Sequence, residues 1–374
     1  MRIAFLGTRG IPATYSGFET FVEELGSRLA QRGHEVTVYC RRHHTVDRPA
    51  SYRGMRLVYV GGIRSKHLDT LSHTAAACLH ARDQHYEIAV LCISGNSPLA
   101  PLLRSTGARV VLNVDGSDWR RRKWRAPARA YLRLSERLAG RFADVTVTDS
   151  RTMQDFYRES LGAETVCIGY GSDLPAAETG ILDRLGLTRR GYILLVGRLV
   201  PENRADHLVD AYSQLDTQLR CVIVGDAPYS RRYIAALKQR DARVMFPGGI
   251  YGPEYRELMH NAYLVVLCSE VGGTHPVLLE AMSAGNCVVV NDTAANLETI
   301  SDAGIPYEGS RGGAALAPIL RRLIDRPDVV ESYREIAARR AREHYAWETV
   351  TLRYEDLFRS LAASPAVQTA SQVD

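Results

Sequence analysis

The segment GGTHPVLLEAMSAGN, residues 272–286, joins a glycine-rich turn to a helical pattern. It lies between two apolar, strand-like runs, and Pro276 suits the first turn of a helix, where its missing N–H costs nothing. Thr274 or His275 is then the expected N-cap. The N–H groups and dipole at such a helix start favour a phosphate, which Gly273, Thr274 and His275 would surround. An ordinary strand-to-helix turn with a conventional cap explains the same residues equally well.

Glu280 is the only charged residue in this helical pattern. Because PVLLEAMSA is apolar nearly all round, we expect the helix to be buried, and a buried carboxylate without a partner is costly. An ionised carboxylate accepts two hydrogen bonds side by side, as the hydroxyl groups of a ribose would supply them. A salt bridge to an arginine is the alternative. The position of Glu280, one turn beyond the helix start, favours a ribose next to a bound diphosphate.

Two arginines follow another strand in VGRLVPENR, residues 196–204. Arg198 comes directly after the strand, and Arg204 opens a helical pattern. Two guanidiniums at the carboxyl edge of one sheet would neutralise the phosphates of a nucleotide-sugar and stabilise the diphosphate as it leaves. Either arginine alone is typical of a solvated surface charge, so the hypothesis depends on the pair.

The loop GTRGIPATYSGFET, residues 7–20, follows the first strand and is long for a simple connection. Its Ser16 and Gly17 are predicted to bring backbone N–H groups toward a donor phosphate, and Tyr15 is a candidate on the acceptor side. The loop is not a dinucleotide fingerprint, because G-x-G-x-x-G is absent and no acidic residue ends the second strand.

The segment NVDGSDWRRRKWRAPAR, residues 113–129, places two carboxylates at a strand end ahead of a basic run. Asp115 is a candidate for the reaction chemistry and Asp118 for contacting an acceptor hydroxyl, although helix capping also explains Asp118. Residues 119–133 carry seven basic and no acidic side chains, interleaved with two tryptophans and a tyrosine. Such a run suits peripheral contact with an anionic membrane, whereas a solvated basic face is the plainer interpretation. Nucleic acid is not an expected partner.

These motifs lie on strands that alternate with helices along the whole chain, which predicts an α/β protein with parallel sheets. A segment rich in proline, glycine and charge, 173–191, predicts a boundary between an N-terminal domain, 1–172, and a C-terminal domain, 173–346. A last helix, 347–361, precedes a small, polar tail, 362–374, that is expected to be disordered. Two doubly wound domains that face each other would form a cleft lined by the carboxyl ends of their strands. The predicted strands are 2–7, 34–40, 55–60, 86–92, 108–114, 144–149, 165–170, 192–197, 221–225, 243–247, 263–268 and 287–290.

Composition narrows the class of protein further. With 374 residues, 45% of them hydrophobic and 24% charged, the chain is typical of a globular protein of two domains. No segment is apolar enough for a membrane span, and the first residues read as a strand and not as a signal peptide, so we expect a cytoplasmic location. Seven cysteines without a C-x-x-C pair indicate reduced thiols and neither a metal site nor a disulfide framework.

Taken together, these motifs resemble the retaining glycosyltransferases of family 4, and the resemblance covers most of the chain. That family has the GT-B fold, in which two Rossmann-like domains face each other. Within it, the chain is most similar to a bacterial branch that includes rhamnosyltransferases of surface polysaccharide assembly. The residues that carry the resemblance are GTRGIPA with SGFET, NVDGSDWRRRKW, GRLVPENR and GGTHPVLLEAM.

The resemblance implies a nucleotide-sugar donor held mainly by the C-terminal domain, retention of anomeric configuration, and no metal or other cofactor. Arg198 and Arg204 match the basic pair on the donor diphosphate, and Glu280 matches the second glutamate of the E-x7-E motif, which binds the ribose. Ser16 and Gly17 match the glycine-rich loop near the donor phosphate. The last helix would cross back onto the N-terminal domain.

The sequence departs from the family pattern at two positions. Gly272 stands where the first glutamate of E-x7-E is expected, and Glu270 lies two residues too early to replace it. In the family that glutamate contacts the transferred sugar, so the change fits a deoxy-sugar or a different contact through His275. Asp115 stands where the family often has an active-site histidine.

The sequence therefore predicts a glycosyltransferase that moves a sugar from a nucleotide-sugar to an acceptor hydroxyl, with dTDP-rhamnose as one candidate donor. The acceptor is expected to be lipid-linked, at the inner face of the cell membrane, or a small molecule such as a natural product. Two alternatives remain open: a nucleotide-sugar 2-epimerase of the same architecture, and a non-catalytic protein that binds nucleotide-sugars or polyanions.

Overall fold

The computed structural model describes residues 1–13, 17–44, 47–65, 68–114, 116, 119, 124 and 126–363. Contacts between residues divide the chain into two compact units. The first contains Met1–Trp119, Trp124–Gly169 and the chain from Glu348 onward, and the second contains Tyr170–Trp347. Each unit is built on its own sheet of mostly parallel strands, which confirms the predicted α/β class.

The first unit holds an eight-stranded sheet. Its strands are β1 (Arg2–Leu6), β2 (Glu35–Arg41), β3 (Ser51–Tyr52), β4 (Met55–Val60), β5 (Ile88–Cys92), β6 (Arg109–Val114), β7 (Val145–Thr148) and β8 (Val166–Cys167). Its helices are α1 (Gly17–Gln31), α2 (Asp69–Ala81), α3 (Ala100–Arg104), α4 (Ala126–Phe142), α5 (Arg151–Leu161) and the last helix of the chain, α14 (Trp347–Ala363). The strand order is β3-β4-β2-β1-β5-β6-β7-β8, and only the β3–β4 pair is antiparallel.

The second unit holds a six-stranded sheet. Its strands are β9 (Tyr192–Val196), β10 (Arg220–Val224), β11 (Val244–Gly248), β12 (Leu264–Leu267), β13 (Cys287–Asn291) and β14 (Ile305–Tyr307). Its helices are α6 (Ile181–Leu185), α7 (Ala205–Tyr212), α8 (Arg231–Arg240), α9 (Gly252–Asn261), α10 (Pro276–Ser283), α11 (Ala294–Ile300), α12 (Gly313–Asp325) and α13 (Pro327–His344). The order β11-β10-β9-β12-β13-β14 is that of a Rossmann-like sheet.

Apolar strands and helix stripes form the core of each unit. In the first unit, α1 directs Phe21, Val22, Leu25 and Leu29 inward, and each of them is at most 1% exposed. In the second unit, both faces of the central strands are covered, as in β12, where all four residues are buried. Strands buried on both faces read as continuous apolar runs, which explains why the sequence revealed them.

The last helix, α14, packs within the first unit from Glu348 onward. Its Tyr354 and Phe358 are fully buried, and the Tyr354 ring lies 5.4 Å from the Phe21 ring of α1. Glu355 of α14 lies 2.9 Å from Nε2 of His34. Of the predicted tail, residues 362 and 363 belong to α14, and the rest lies outside the described residues.

Two strands, β3 and β14, were not predicted from the sequence. They have two and three residues, so a periodic pattern has no room to develop in either. All seven cysteines are free and six of them are buried, which confirms the prediction of reduced thiols. Among the described residues, no helix is long and apolar enough to cross a membrane.

Candidate functional site

The two loops that carry the predicted donor residues follow neighbouring strands. In the second unit, β9 pairs in parallel with β12, and strand order reverses between them, since β9 continues to β10 on its other side. Ligands of open α/β sheets bind at the carboxyl ends of strands at such a switch point. The loop 197–204 follows β9, and the loop 268–275 follows β12. The fold thus brings two motifs, far apart in sequence, to the edge where a ligand is expected.

The loop after β12 ends at the start of α10, as the sequence predicted. His275 is the N-cap of α10, and Pro276 is its first residue. Gly273 and Thr274 precede the N-cap of the helix, and both residues are buried. His275 is half-buried. The positive end of α10 therefore lies at the carboxyl edge of β12, which suits an anion.

Gly272 has a backbone conformation that a glutamate adopts only with strain. Its φ is 146°, and a β-carbon built there would lie 2.8 Å from Cε1 of His275. The His275 ring therefore occupies the space that the side chain of residue 272 would need. A glutamate at this position would require both a change of backbone and a move of the ring.

Glu280 is half-buried on α10, and its hydrogen-bond partner is a tyrosine and not the arginine of the predicted alternative. Tyr255 of α9 donates a hydrogen bond to Oε2 of Glu280. Burial raises the pKa of Glu280 to about 7, although the hydrogen bond from Tyr255 opposes this shift. The alternative of a salt bridge to an arginine is wrong among the described residues, which leaves the carboxylate with a neutral partner. A carboxylate held in this way near pH 7 can accept hydroxyl groups of a ligand.

Arg204 is the N-cap of α7 and is held by two carboxylates. Its guanidinium donates two hydrogen bonds to Asp206, of 3.3 Å and 3.1 Å, and one of 3.2 Å to Oε2 of Glu270. Asp206 in turn accepts a hydrogen bond of 2.8 Å from the hydroxyl of Tyr233. Burial lowers the pKa of Arg204, but Asp206 and Glu270 outweigh this effect and raise it above the ordinary value.

The backbone at Arg204 is left-handed, with φ of 49°. A non-glycine residue in this region stores strain, which persists only where the surrounding contacts hold it. A hydrogen bond of 3.1 Å from the N–H of Glu270 to the carbonyl of Glu202 links the loop that contains Arg204 to the loop after β12. The loop after β9 and the loop after β12 therefore form one connected structure.

Arg198 differs from Arg204 in its surroundings. It is exposed, and it takes part in no ion pair among the described residues. Its carbonyl oxygen accepts a hydrogen bond of 2.8 Å from Nδ2 of Asn203, which fixes the turn that follows β9. The guanidinium is thus available to an anion, whereas that of Arg204 already lies between two carboxylates.

Gly225 allows the ends of β9 and β10 to lie in close contact. A β-carbon built on Gly225 would lie 1.8 Å from the carbonyl oxygen of Gly197. The φ of Gly225 is 148°, which also favours glycine. At Gly197 and Gly225, the backbone at this edge of the sheet carries no side chain.

The remaining predicted site residues belong to the first unit or lie outside the described part of the chain. Gly17 is the first residue of α1. The structure does not place the other four predicted residues, Tyr15, Ser16, Asp115 and Asp118, because they lie outside the described residues. Their roles stay predictions.

The described residues of the basic run 119–133 have partners within the first unit. The indole Nε1 of Trp119 donates to Glu136 at 2.6 Å, and the guanidinium of Arg133 lies 4.2 Å from the centre of the Trp119 ring. Arg129 donates to the carbonyl of Trp124 at 3.3 Å. Helix α4 begins at Ala126, so Pro127 lies in its first turn and does not interrupt it.

Four residues that the sequence reasoning did not assign take part in this site: Tyr233, Asp206, Glu270 and Tyr255. Asp206 carried a signal, since an acidic residue in the first turn of a helix complements the dipole. The two tyrosines had none, because they come from α8 and α9 and reach the site only through packing.

Comparison with known proteins agrees with this architecture. Residues 183–341 match the family model described as Glycosyl transferases group 1, and residues 1–173 match one described as Domain of unknown function (DUF1972). A sucrose-phosphate synthase from Thermosynechococcus elongatus has a TM-score of 0.81 at 22% identity, over 97% of this chain and all of that one. HepE of Anabaena, in complex with UDP-glucose, has a TM-score of 0.77 at 19% identity, over 96% of this chain and 100% of that one.

The fold, the site and these matches define the protein as a glycosyltransferase with the GT-B fold. More particularly, its second unit carries a glycosyl transferases group 1 domain. The chain is 28% identical over 331 residues, which is 79% of this chain and 82% of the relative, to a mannosyltransferase of Mycolicibacterium smegmatis. That relative is named GDP-mannose-dependent alpha-(1-6)-phosphatidylinositol monomannoside mannosyltransferase.

Proposed function

We propose that this glycosyltransferase takes its sugar from a nucleotide-sugar and transfers it with retention of configuration and without a metal ion. The observation that carries the proposal is the meeting of Arg198, Arg204 and the start of α10 at the switch point between β9 and β12. Glu280, one turn further along α10, suits the ribose of the same donor. The HepE structure holds UDP-glucose, which supports a donor of this class.

The proposed reaction is a displacement on one face of the sugar. The bond between C1 and the diphosphate oxygen breaks, and a bond from C1 to the acceptor oxygen forms on the same side. The acceptor proton passes to the departing diphosphate, so the reaction needs no strong base from the protein. Arg198, Arg204 and the N–H groups around Thr274 stabilise the negative charge that develops on the diphosphate, which supplies most of the rate.

For the sugar, we propose rhamnose carried by dTDP. The support is the motif resemblance together with Gly272, which leaves no carboxylate at the position where the family contacts a sugar hydroxyl. Mannose carried by GDP is the second candidate, and the name of the relative from Mycolicibacterium smegmatis favours it. The two donors differ in both base and sugar, so they are easily separated by experiment.

For the acceptor, we propose a lipid-linked glycan at the inner face of the cell membrane, and a small-molecule acceptor is the alternative. The relative that acts on a phosphatidylinositol mannoside supports a lipid-linked acceptor. The basic run 119–133 is the proposed membrane contact. Sedimentation with liposomes of phosphatidylglycerol, compared with phosphatidylcholine alone, tests this contact.

The decisive experiment has two stages. Thermal shifts with a panel of nucleotide-sugars identify the donor, because stabilisation follows affinity. Transfer to a lipid-linked or soluble acceptor is then measured with and without EDTA, and the anomeric configuration of the product is determined by NMR. An inverted product, or loss of activity with EDTA that a divalent ion restores, would contradict the proposed mechanism.

The same assay separates the alternatives. A 2-epimerase would change the sugar of the donor when no acceptor is present, whereas a transferase leaves the sugar configuration intact. A non-catalytic binding protein would be stabilised by nucleotide-sugars or polyanions and release no nucleoside diphosphate with any acceptor.

A further inference from the structure

A cluster of two histidines and one aspartate lies in the first unit, and none of the three is a predicted donor residue. His43 and His44 follow the end of β2, and Asp69 is the first residue of α2. Nε2 of His43 lies 3.2 Å from Oδ1 of Asp69, and Nε2 of His44 lies 3.6 Å from Oδ2. One ligand atom from each of the three residues lies within 4.8 Å of the other two.

The two nitrogen–oxygen separations, 3.2 Å and 3.6 Å, fit atoms that share a metal ion. Around a tetrahedral Zn²⁺ with bonds of about 2.0–2.1 Å, neighbouring ligand atoms lie about 3.4 Å apart. The two histidine rings have their centres 4.5 Å apart and their planes tilted by 40°, and both Nε2 atoms lie near the same carboxylate. We propose that His43, His44 and Asp69 form a binding site for a divalent transition-metal ion of the zinc class.

The hydrogen bonds in the cluster support this assignment. Oδ1 of Asp69 is buried and has no hydrogen-bond partner among the described residues, although Nε2 of His43 lies close to it. His73, one turn further along α2, is fully buried. Buried polar atoms usually have partners, so Oδ1 of Asp69 leaves a demand that the described residues do not meet.

Arg41, the last residue of β2, fixes the carboxylate from the other side. Its Nη1 donates to Oδ2 of Asp69 at 2.8 Å, and its Nη2 donates to Oγ1 of Thr70 at 2.9 Å. Such a contact orients a ligating carboxylate, as outer-shell partners of metal ligands do. The guanidinium of Arg41 also offsets the negative charge of Asp69, so the site disfavours ions that bind mainly to carboxylates.

The ligand set therefore selects a class of ion. Neutral imidazole nitrogens suit Zn²⁺, Co²⁺ and Ni²⁺, whereas Mg²⁺ and Ca²⁺ require oxygen ligands. The side chains of His43, Asp69 and His44 are 15%, 18% and 35% exposed, so the ion can enter from solvent. A bound ion would tie the segment after β2 to the start of α2, and the proposed transfer reaction does not use it.

The test uses the full chain without a histidine tag. Binding of Co²⁺ is followed by its visible absorption, and binding of Zn²⁺ by competition with a chromogenic chelator. We expect one equivalent of tightly bound ion, displacement of Co²⁺ by Zn²⁺, and a thermal shift of several degrees with Zn²⁺ but not with Mg²⁺. Because these readouts do not involve sugar transfer, their outcome is independent of the proposed function.

The variants His43→Ala and His44→Gln identify the site. His44→Gln retains a hydrogen-bond donor for Asp69 but removes the imidazole, so we expect it to fold and to lose at least tenfold in affinity for Zn²⁺. His344→Ala is the matched control, because His344 is exposed and lies outside the cluster. Absence of tight binding to the parent protein, or binding that His43→Ala and His44→Gln leave unchanged, would overturn the proposal.

Discussion

Arg198 and Arg204 follow the same strand but have different surroundings, and this difference suggests different parts in the proposed reaction. Arg204 already shares its charge with Asp206 and Glu270, so a diphosphate must compete with these carboxylates. Arg198 is exposed and without an ion pair among the described residues. We therefore expect Arg198 to provide more of the charge that stabilises the leaving diphosphate.

Replacement of Arg198 by alanine tests this expectation. Loss of a group that stabilises developing charge typically lowers turnover by about 10²–10³-fold. Arg220→Ala is the matched control, because Arg220 is also exposed but lies at the amino end of β10, the opposite edge of the same sheet. We expect both variants to melt within a degree or two of the parent protein, and only Arg198→Ala to lose transfer activity. Near-normal turnover of Arg198→Ala would exclude the proposed role.

The pKa of Glu280 predicts how stability depends on pH. Burial raises this pKa from 4.5 to about 7 in the folded protein, so between these values the folded form holds a proton that the unfolded form has released. The free energy of unfolding therefore falls as pH rises through this window, by at most about 3 kcal/mol from this group. Glu280→Gln is expected to remove this part of the pH dependence, whereas Glu335→Gln, an exposed control on α13, is expected to retain it.

The same pKa predicts how donor binding depends on pH. An ionised carboxylate is the better acceptor for ribose hydroxyl groups, so the affinity for a nucleoside diphosphate is expected to increase from pH 6 to pH 8. Tyr255→Phe removes the hydrogen bond that opposes the raised pKa and is expected to shift this rise to higher pH. Calorimetric titration at several pH values measures the affinity. A flat profile for the parent protein would show that Glu280 does not contact the ribose.

At the level of single residues, the sequence predicted local backbone features better than contacts between side chains of different elements. The glycine turn, Pro276 and an N-cap at Thr274 or His275 could be predicted because their backbone preferences are local, and the N-cap is His275. The partner of Glu280 could not, since Tyr255 lies on another helix and no sequence spacing relates the two. The ligands of the proposed metal site likewise come from two places, the segment after β2 and the start of α2, and the histidine pair has no spacing typical of a metal motif.

At the level of secondary structure, the carboxyl ends of β9 and β10 form part of the sheet edge where the donor is proposed to bind. Their carboxyl ends approach closely because Gly225 has no side chain, and the N–H of Gly197 donates to the carbonyl of Val224 at 3.0 Å. The strands themselves were predicted from their apolar runs, and the strand order was not. Order depends on which strands pair over long sequence separations, which local periodicity does not encode.

Two glycine substitutions separate close contact from backbone strain at this edge. Gly225→Ala would place a β-carbon 1.8 Å from the carbonyl oxygen of Gly197, so the ends of β9 and β10 must move apart. Gly248→Ala is the control, because Gly248 also has a positive φ of 89° but nothing lies within 4 Å of its built β-carbon. We expect Gly248→Ala to cost about 1 kcal/mol and Gly225→Ala at least twice as much. Equal losses in urea unfolding would show that strain alone governs this edge.

At the scale of the whole molecule, the chain returns to its first unit after completing the second. Helix α14 adds buried aromatic side chains to a core that otherwise comes from residues before Tyr170. The sequence predicted a last helix at 347–361, and the structure forms it as α14, which ends two residues later. The packing of α14 on the first unit was expected only from the family resemblance, since amphipathic periodicity shows that a helix has a buried face but not what covers it.

Substitutions on α14 test which unit depends on this helix. Phe358 is fully buried, with its ring 5.8 Å from that of Tyr354, whereas Leu352 of the same helix is 44% exposed. Phe358→Ala is expected to cost about 3–5 kcal/mol, and Leu352→Ala less than about 0.5 kcal/mol. Because a protein of two units need not unfold in one step, the loss is measured by hydrogen exchange of individual segments. We expect Phe358→Ala to lower the protection of β1 and α1 while β9 and β12 keep theirs. An equal loss of protection in both sheets would show that the two units unfold together, with α14 supporting the whole chain.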